Sequence, residues 1–112
     1  MDKDRPIEEV CALLKSLLKD DANQIIFCTG RVEDYREKTI EQINKILKGS
    51  KNIDIDSCLY MRPKEDCRKD FMVKRDLYKR MIFDGFNPVI VFEDKITVVE
   101  MWKEMGLKCL RV

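Results

Sequence analysis

The chain alternates between short runs of consecutive apolar residues and longer segments with helical periodicity, and this alternation constrains its fold most strongly. The apolar runs begin at Ile25, Cys58, Val89 and Leu107. They are too short for helices, and the clearest of them are apolar on both faces, which is typical of strands inside a parallel sheet. The sequence therefore predicts an α/β fold with a parallel sheet of about four strands and right-handed crossovers.

The segments between these runs predict four helices. Asp4-Arg5-Pro6 is a typical helix start, and the apolar period continues to Leu18. A second helix is expected over about 33–47, with Gly49 as its stop. A third carries Phe71, Leu77, Tyr78 and Met81, and a fourth carries Val98, Val99, Trp102 and Met105. Because no repeat, linker or low-complexity segment interrupts this pattern, residues 1–112 are expected to form a single domain.

Charge and cysteine usage narrow the functional classes. The 22 Lys and Arg residues nearly balance the 21 Asp and Glu residues, so any nucleic-acid contact has to be local. The five cysteines form no CxxC pair and histidine is absent, which argues against a zinc site. The start, MDKDRP, is charged rather than apolar, and no run is long enough for a membrane span. We therefore expect reduced thiols in a cytoplasmic protein without membrane contacts.

Ligands of open α/β sheets bind beyond the carboxyl ends of the strands, so the residues after each strand are the candidates. Thr29, Gly30 and Arg31 follow the first strand. A hydroxyl and backbone amides at a helix start suit a phosphate, and glycine permits close approach of a ligand. The alternative is that Thr29 caps the next helix and that Gly-Arg is a simple turn.

Two further candidate groups lie later in the chain. Glu93 and Asp94 follow the third strand, where they suit Mg²⁺, although Asp94 is equally suited to cap a helix that begins near Lys95. Lys74 lies one turn into a helix that Asp70 is placed to cap. A lysine there can neutralise a phosphate, but a solvated lysine is the commoner case in so charged a chain.

The order of these groups resembles the haloacid dehalogenase superfamily, and in particular the 3′-phosphatase domain of phage-type polynucleotide kinases. IIFCTGR resembles the second motif of that family, with Thr29 as the phosphate ligand. YMRPKEDCRKDFMVKRDLY resembles the segment that leads to the motif lysine, here Lys74. VIVFEDKITVVEMWKEMGLKCLRV resembles the closing segment. The similarity runs over nearly the whole chain.

The resemblance implies a Rossmann-like three-layer fold and a set of site residues. Thr29 and Lys74 would hold the phosphoryl group, and Asp94 with Glu93 would hold Mg²⁺. Candidates for the substrate phosphate or nucleic-acid backbone are Gly30, Arg31, Arg62 and Arg68. Asp66 and Asp70 are expected to orient those arginines or to cap the helix.

One family motif is absent from these residues. The first motif, Asp-x-Asp-Gly-Thr, supplies the nucleophile and the general acid in the family. Asp2 and Asp4 have the Asp-x-Asp spacing, but no strand precedes them and Pro6 follows. The chain is thus expected to begin just downstream of that motif. The corresponding central strand is also absent, so the strands ending at Cys28 and Phe92 either pair directly or receive a strand from a second copy or another chain.

Three functional hypotheses remain open at this point. In the first, the chain is a Mg²⁺-dependent phosphatase-type domain for 3′-phosphorylated nucleic-acid ends whose nucleophile comes from elsewhere. In the second, it is a non-catalytic module that binds a nucleic-acid end, a nucleotide or a protein. In the third, it is a protein-interaction remnant without a ligand.

Overall fold

The computed structural model describes residues 8–20, 23–48 and 53–112. In chain order the elements are α1 (Glu8–Leu18), β1 (Phe27–Val32), a 3-10 helix (Glu33–Tyr35), α2 (Arg36–Ile46), α3 (Ile55–Cys58), β2 (Leu59–Arg62), α4 (Asp70–Phe83), β3 (Ile90–Glu93), α5 (Ile96–Glu104) and β4 (Lys108–Arg111). The predicted alternation of helices and short strands, and hence the α/β class, is confirmed.

The end of one strand differs from the prediction, and one short helix was not predicted. β1 extends through Thr29, Gly30 and Arg31, so these residues lie within the strand and not at the start of a helix. The short helix α3 is not predicted from the sequence. Within it, the Ser57 hydroxyl donates to Asp54 Oδ2 at 2.5 Å, a local bond that favours a turn. The predicted helix start at Asp4–Pro6 and the stop at Gly49 lie outside the described residues.

The structure divides into two compact units, and each is described by itself. The first comprises Met1–Phe27 and Tyr35–Leu59 and contains α1, α2 and α3. Its buried apolar side chains include Leu18, Leu47, Ile55 and Cys58. Arg36 donates to Asp56 Oδ1 and to the Leu59 carbonyl, both at 2.9 Å, and so ties α2 to the end of α3. The expectation of a single domain stays a prediction.

The second unit comprises Cys28–Asp34 and Tyr60–Val112. Its apolar core is built by α5 and β4, with Val98, Val99, Met101, Trp102 and Cys109 buried together. Val91 and Tyr78 pack against this cluster, and the Tyr78 ring meets Trp102 edge-on at 5.7 Å. Each such buried side chain contributes roughly 1.5–3 kcal/mol of hydrophobic stabilisation.

The strands of the described residues form two pairs, β1 with β2 and β3 with β4. β3 and β4 are parallel, with Ile90 opposite Lys108 and Glu93 opposite Arg111. Among the described residues β1 and β3 are not hydrogen-bonded neighbours, so the alternative in which these two strands pair directly is wrong. One edge of β3 therefore has no described strand beside it.

Two further findings concern the whole described chain. All five cysteines are free thiols, as the sequence predicts. Among the helices of the described ranges, none combines the length and the apolar character needed to cross a membrane.

Candidate functional site

A buried ion pair joins α4 to the end of β3. Lys74 Nζ lies 3.0 Å from Glu93 Oε1, with side-chain exposures of 10% and 8%. The other Glu93 oxygen accepts the backbone N–H groups of Asp94 at 3.1 Å and Lys95 at 3.4 Å. Both charges are thus paired, as burial requires. The alternative of a solvated Lys74 is wrong, because the helix face that carries it is turned inward.

Asp70 occupies the first position of α4 and not the cap position, which belongs to Lys69. Its carboxylate packs directly on the Cα of Gly30: a Cβ at that residue would lie 2.5 Å from Asp70 Oδ1. Glycine is therefore required here because a protein carboxylate approaches the strand. This close approach brings β1 and the first turn of α4 together.

Arg62, at the end of β2, holds that contact in place. Its Nε donates to the Gly30 carbonyl at 2.8 Å, and its Nη2 donates to Asp70 Oδ1. Nη1 donates to the carbonyls of Asp66 and Arg68. Burial opposes ionisation of Asp70, but the Arg62 hydrogen bond and the charges of Lys74 and Lys95 outweigh it and lower the pKa of Asp70. The predicted orienting role of Asp70 toward Arg62 is confirmed, and each nitrogen of this guanidinium has a protein acceptor.

Arg68 and Asp66 form a second ion pair in the loop before α4. The Arg68 guanidinium donates to both Asp66 oxygens, at 2.8 Å from Nη2 to Oδ2 and 3.0 Å from Nε to Oδ1. This hydrogen bonding lowers the pKa of Asp66 to about 2. Arg68 Nη2 also lies 2.8 Å from Asp76 Oδ2. Arg68 is 44% exposed, so it faces solvent while paired.

Thr29 and Arg31 lie side by side in β1. The Thr29 hydroxyl accepts the Arg31 backbone N–H at 3.2 Å, and both residues are half-buried. The next helical turn begins only at Glu33, and its first turn carries the acidic side chains Glu33 and Asp34. The expected group of amides at a helix start beside Thr29 is therefore wrong, as is the reading of Thr29 as a cap.

Asp94 is exposed, and no partner of its carboxylate is found in the described part of the chain. The cap position of α5 belongs to Lys95, without a side-chain cap bond, so Asp94 does not cap this helix. Glu93 is the residue that accepts the two free N–H groups there. No group of three or more Cys, Asp or Glu side chains suited to a metal ion occurs among the described residues.

Cys28 is a member of this neighbourhood that the sequence assigned only to core filling. Burial raises the pKa of its thiol to about 12, and the charges of Lys74, Glu93 and Asp70 all act on it. Cys28 near the start of β1, the first two turns of α4 and the end of β3 thus lie close to one another. No signal in the sequence distinguishes Cys28 from the other apolar residues of its run.

The described geometry is that of an α/β protein with its charged side chains gathered at the strand ends, the edge where such proteins bind ligands. The sequence profile of the polynucleotide kinase PNKP phosphatase domain matches residues 1–112. The chain therefore belongs to the polynucleotide kinase phosphatase family, and the resemblance seen in the sequence is confirmed.

A viral relative agrees with this assignment. The chain is 34% identical over 84 residues to a protein of Autographa californica nuclear polyhedrosis virus described as a bifunctional polynucleotide kinase/RNA ligase. The aligned residues are 74% of this chain and 11% of the viral protein. The relative is thus much longer than the matched segment.

Proposed function

We propose that the chain recognises phosphorylated nucleic-acid ends, with the 3′-phosphate as the group bound, and that it is a phosphatase-type domain. The observation that carries the proposal is the meeting of β1 with the first turns of α4: Asp70 packs on Gly30, and the charges of Lys74, Glu93 and Asp70 act on Cys28. The family profile supports a phosphate-removing domain, and the viral relative, described as a polynucleotide kinase/RNA ligase, supports a nucleic-acid substrate.

In this proposal each candidate residue has a distinct task. Thr29 and Lys74 bind the phosphoryl oxygens, and Arg31 offers a further cationic contact from the same strand. Because each Arg62 nitrogen already has a protein acceptor, Arg62 acts by holding Gly30 and Asp70 in position. Arg68 faces solvent while paired with Asp66, and it is the remaining candidate to bind a phosphate of the nucleic-acid backbone.

We propose that Mg²⁺ binds only when another strand or chain supplies the ligands that the described residues lack. Mg²⁺ takes one or two carboxylates together with substrate phosphate and water. Asp94 is suited to be one such ligand, whereas Glu93 would first have to release Lys74 and two backbone N–H groups. The described residues do not provide a full donor set, so we derive no catalytic step through the metal.

We further propose that these 112 residues bind the phosphate without hydrolysing it on their own. The sequence contains no Asp-x-Asp-Gly-Thr motif that would supply the nucleophile. The edge of β3 that has no strand beside it among the described residues is where a nucleophile-bearing strand of a second copy or another chain would pair.

The test is release of phosphate from a 3′-phosphorylated oligonucleotide, with and without Mg²⁺, beside an Asp94→Ala control. We expect binding without release. Mg²⁺-dependent release that is lost in Asp94→Ala would show a working phosphatase and would overturn the claim of incompleteness. Failure to bind the oligonucleotide would overturn the proposal as a whole.

A non-catalytic binding module is the second candidate. It is favoured by the full engagement of Glu93 and Arg62 with protein groups. Binding of the oligonucleotide that is the same with and without Mg²⁺, and with and without the Asp94 carboxylate, would favour it.

A further inference from the structure

Helix α4 carries a row of aromatic and basic side chains that runs from its partly buried first turn to its exposed last turn. Phe71, Arg75, Lys79 and Phe83 follow one another at intervals of four residues, so they form one continuous ridge along the helix. The ridge is bounded at each end by an aromatic ring, with two cations between them. Twelve residues at 1.5 Å each give it a length of roughly 18 Å.

The two ends of the ridge differ in burial. Phe71 packs against the apolar core of the second unit, and the Arg75 guanidinium lies 6.0 Å from the centroid of its ring. Phe83 is 90% exposed, the highest value among the large apolar side chains of the described residues. A phenyl ring so exposed contributes almost nothing to the core, and its face is accessible to a ligand.

One cation of the ridge and one beside it are available for a ligand. Lys79 and Arg80 are both exposed, and neither side chain has an ion-pair partner within the described ranges. Two acidic residues lie beside the ridge: Asp76 is paired with Arg68, and Asp84 accepts the Tyr60 hydroxyl, so three cations (Arg75, Lys79 and Arg80) face one carboxylate without a cationic partner. This surface is thus locally basic in a chain whose formal net charge is only +1.

We propose that the ridge Phe71–Arg75–Lys79–Phe83, with Arg80 beside it, binds the single-stranded nucleic acid that leads to the phosphorylated end, with Phe83 as a base-stacking platform. The inference rests on the proposed function, because Lys74 lies between Phe71 and Arg75 on the same helix. A groove or surface that combines backbone-neutralising cations with exposed aromatic rings is the common design of single-strand binding.

The test is fluorescence anisotropy with a labelled single-stranded oligonucleotide of about 12 nucleotides, ending in either a 3′-phosphate or a 3′-hydroxyl. A nucleoside 3′-monophosphate serves as the short competitor. Phe83→Ala is expected to weaken binding of both oligonucleotides by roughly 5- to 150-fold and to leave the competitor unchanged. Phe83→Trp is expected to retain binding.

The cations are tested through salt dependence. The double substitution Lys79→Gln with Arg80→Gln is expected to reduce the slope of log affinity against log salt by about 1.4, which corresponds to two phosphate contacts on a single strand. Tyr35→Ala, which removes another exposed aromatic ring, and Lys38→Gln are the matched controls, and both are expected to behave as the wild type.

The outcomes separate the two proposals. If the ridge substitutions weaken the binding of both oligonucleotides equally, and the wild type binds the 3′-phosphate end no more tightly than the 3′-hydroxyl end, the ridge assignment stands and the proposed function fails. If the 3′-phosphate preference persists while Phe83→Ala stays within twofold of the wild type, the ridge assignment is overturned. Equal losses in the Tyr35 control, or no oligonucleotide binding at all, also overturn it.

Discussion

Removing the Lys74 ammonium is the most informative perturbation of the candidate site. Lys74→Met keeps most of the length and the apolar character of the side-chain stem but leaves the Glu93 carboxylate buried without its cation. Breaking a buried pair from one side costs about 3–5 kcal/mol. Because Glu93 keeps two backbone N–H donors, we expect the lower end, about 3 kcal/mol.

The assay is urea unfolding followed by the fluorescence of Trp102. This residue is buried in the core of the second unit, so its emission reports on the unit that contains the ion pair. With a slope of about 2 kcal/mol per molar urea, a loss of about 3 kcal/mol lowers the midpoint by roughly 1.5 M.

A second substitution provides the control. Lys74→Met combined with Glu93→Gln removes the isolated charge and keeps an oxygen that accepts the two N–H groups. We expect the double variant to be more stable than Lys74→Met alone, which gives a favourable coupling energy between the two positions. A loss below about 1 kcal/mol in Lys74→Met, or full additivity of the two substitutions, would refute the account of the buried pair.

Three further predictions concern the same neighbourhood. Gly30→Ala places a methyl group against Asp70 and is expected to lower the free energy of unfolding in urea by about 1–3 kcal/mol. Much of this loss should disappear when Asp70→Ala is added, and the absence of such a rescue would contradict the contact. Because the pKa of Asp70 is lowered in the folded state, stability should fall as pH drops below the unfolded value of about 3.9. Asp70→Asn should flatten this fall in a profile of urea midpoints measured from about pH 5 down to about pH 2, and an unchanged profile would contradict it. At pH 8 iodoacetamide should alkylate the exposed Cys67 well before Cys28, whose pKa is about 12, as measured by mass spectrometry of the native protein; equal rates would argue against a buried Cys28 thiol.

The fold was largely accessible from the sequence because short-range patterns determine it. The apolar periods located α1, α2, α4 and α5, and the apolar runs located all four strands within a few residues. The end of β1 was misplaced, because Thr29, Gly30 and Arg31 look like a loop but are held in the strand by Arg62 and Asp70. Those contacts join residues that are 32 and 40 positions apart, which no local pattern encodes.

The sequence predicted several residues of the candidate site but not the contacts that these residues make with one another. Lys74 was selected as a candidate, but its partner Glu93 lies 19 residues away and was assigned to a metal ion. Asp70 was expected to orient an arginine or to cap a helix, and Asp94 to hold Mg²⁺ or to cap a helix, because acidic residues before a helix often cap it. In the structure Asp70 binds Arg62 and Lys95, and Glu93 accepts the N–H groups before α5. Side-chain pairing across elements decides these roles.

The central claim, recognition of a 3′-phosphate at the strand ends of the second unit, is tested most directly by comparing the affinity of one oligonucleotide with a 3′-phosphate and with a 3′-hydroxyl. We expect the phosphate to strengthen binding roughly tenfold or more, since hydrogen bonds to charged groups contribute about 1.5–3 kcal/mol each. Thr29→Ala should remove most of the preference for the 3′-phosphate without changing the affinity for the oligonucleotide with the 3′-hydroxyl. Equal affinities for the two ends in the wild-type chain would contradict the account.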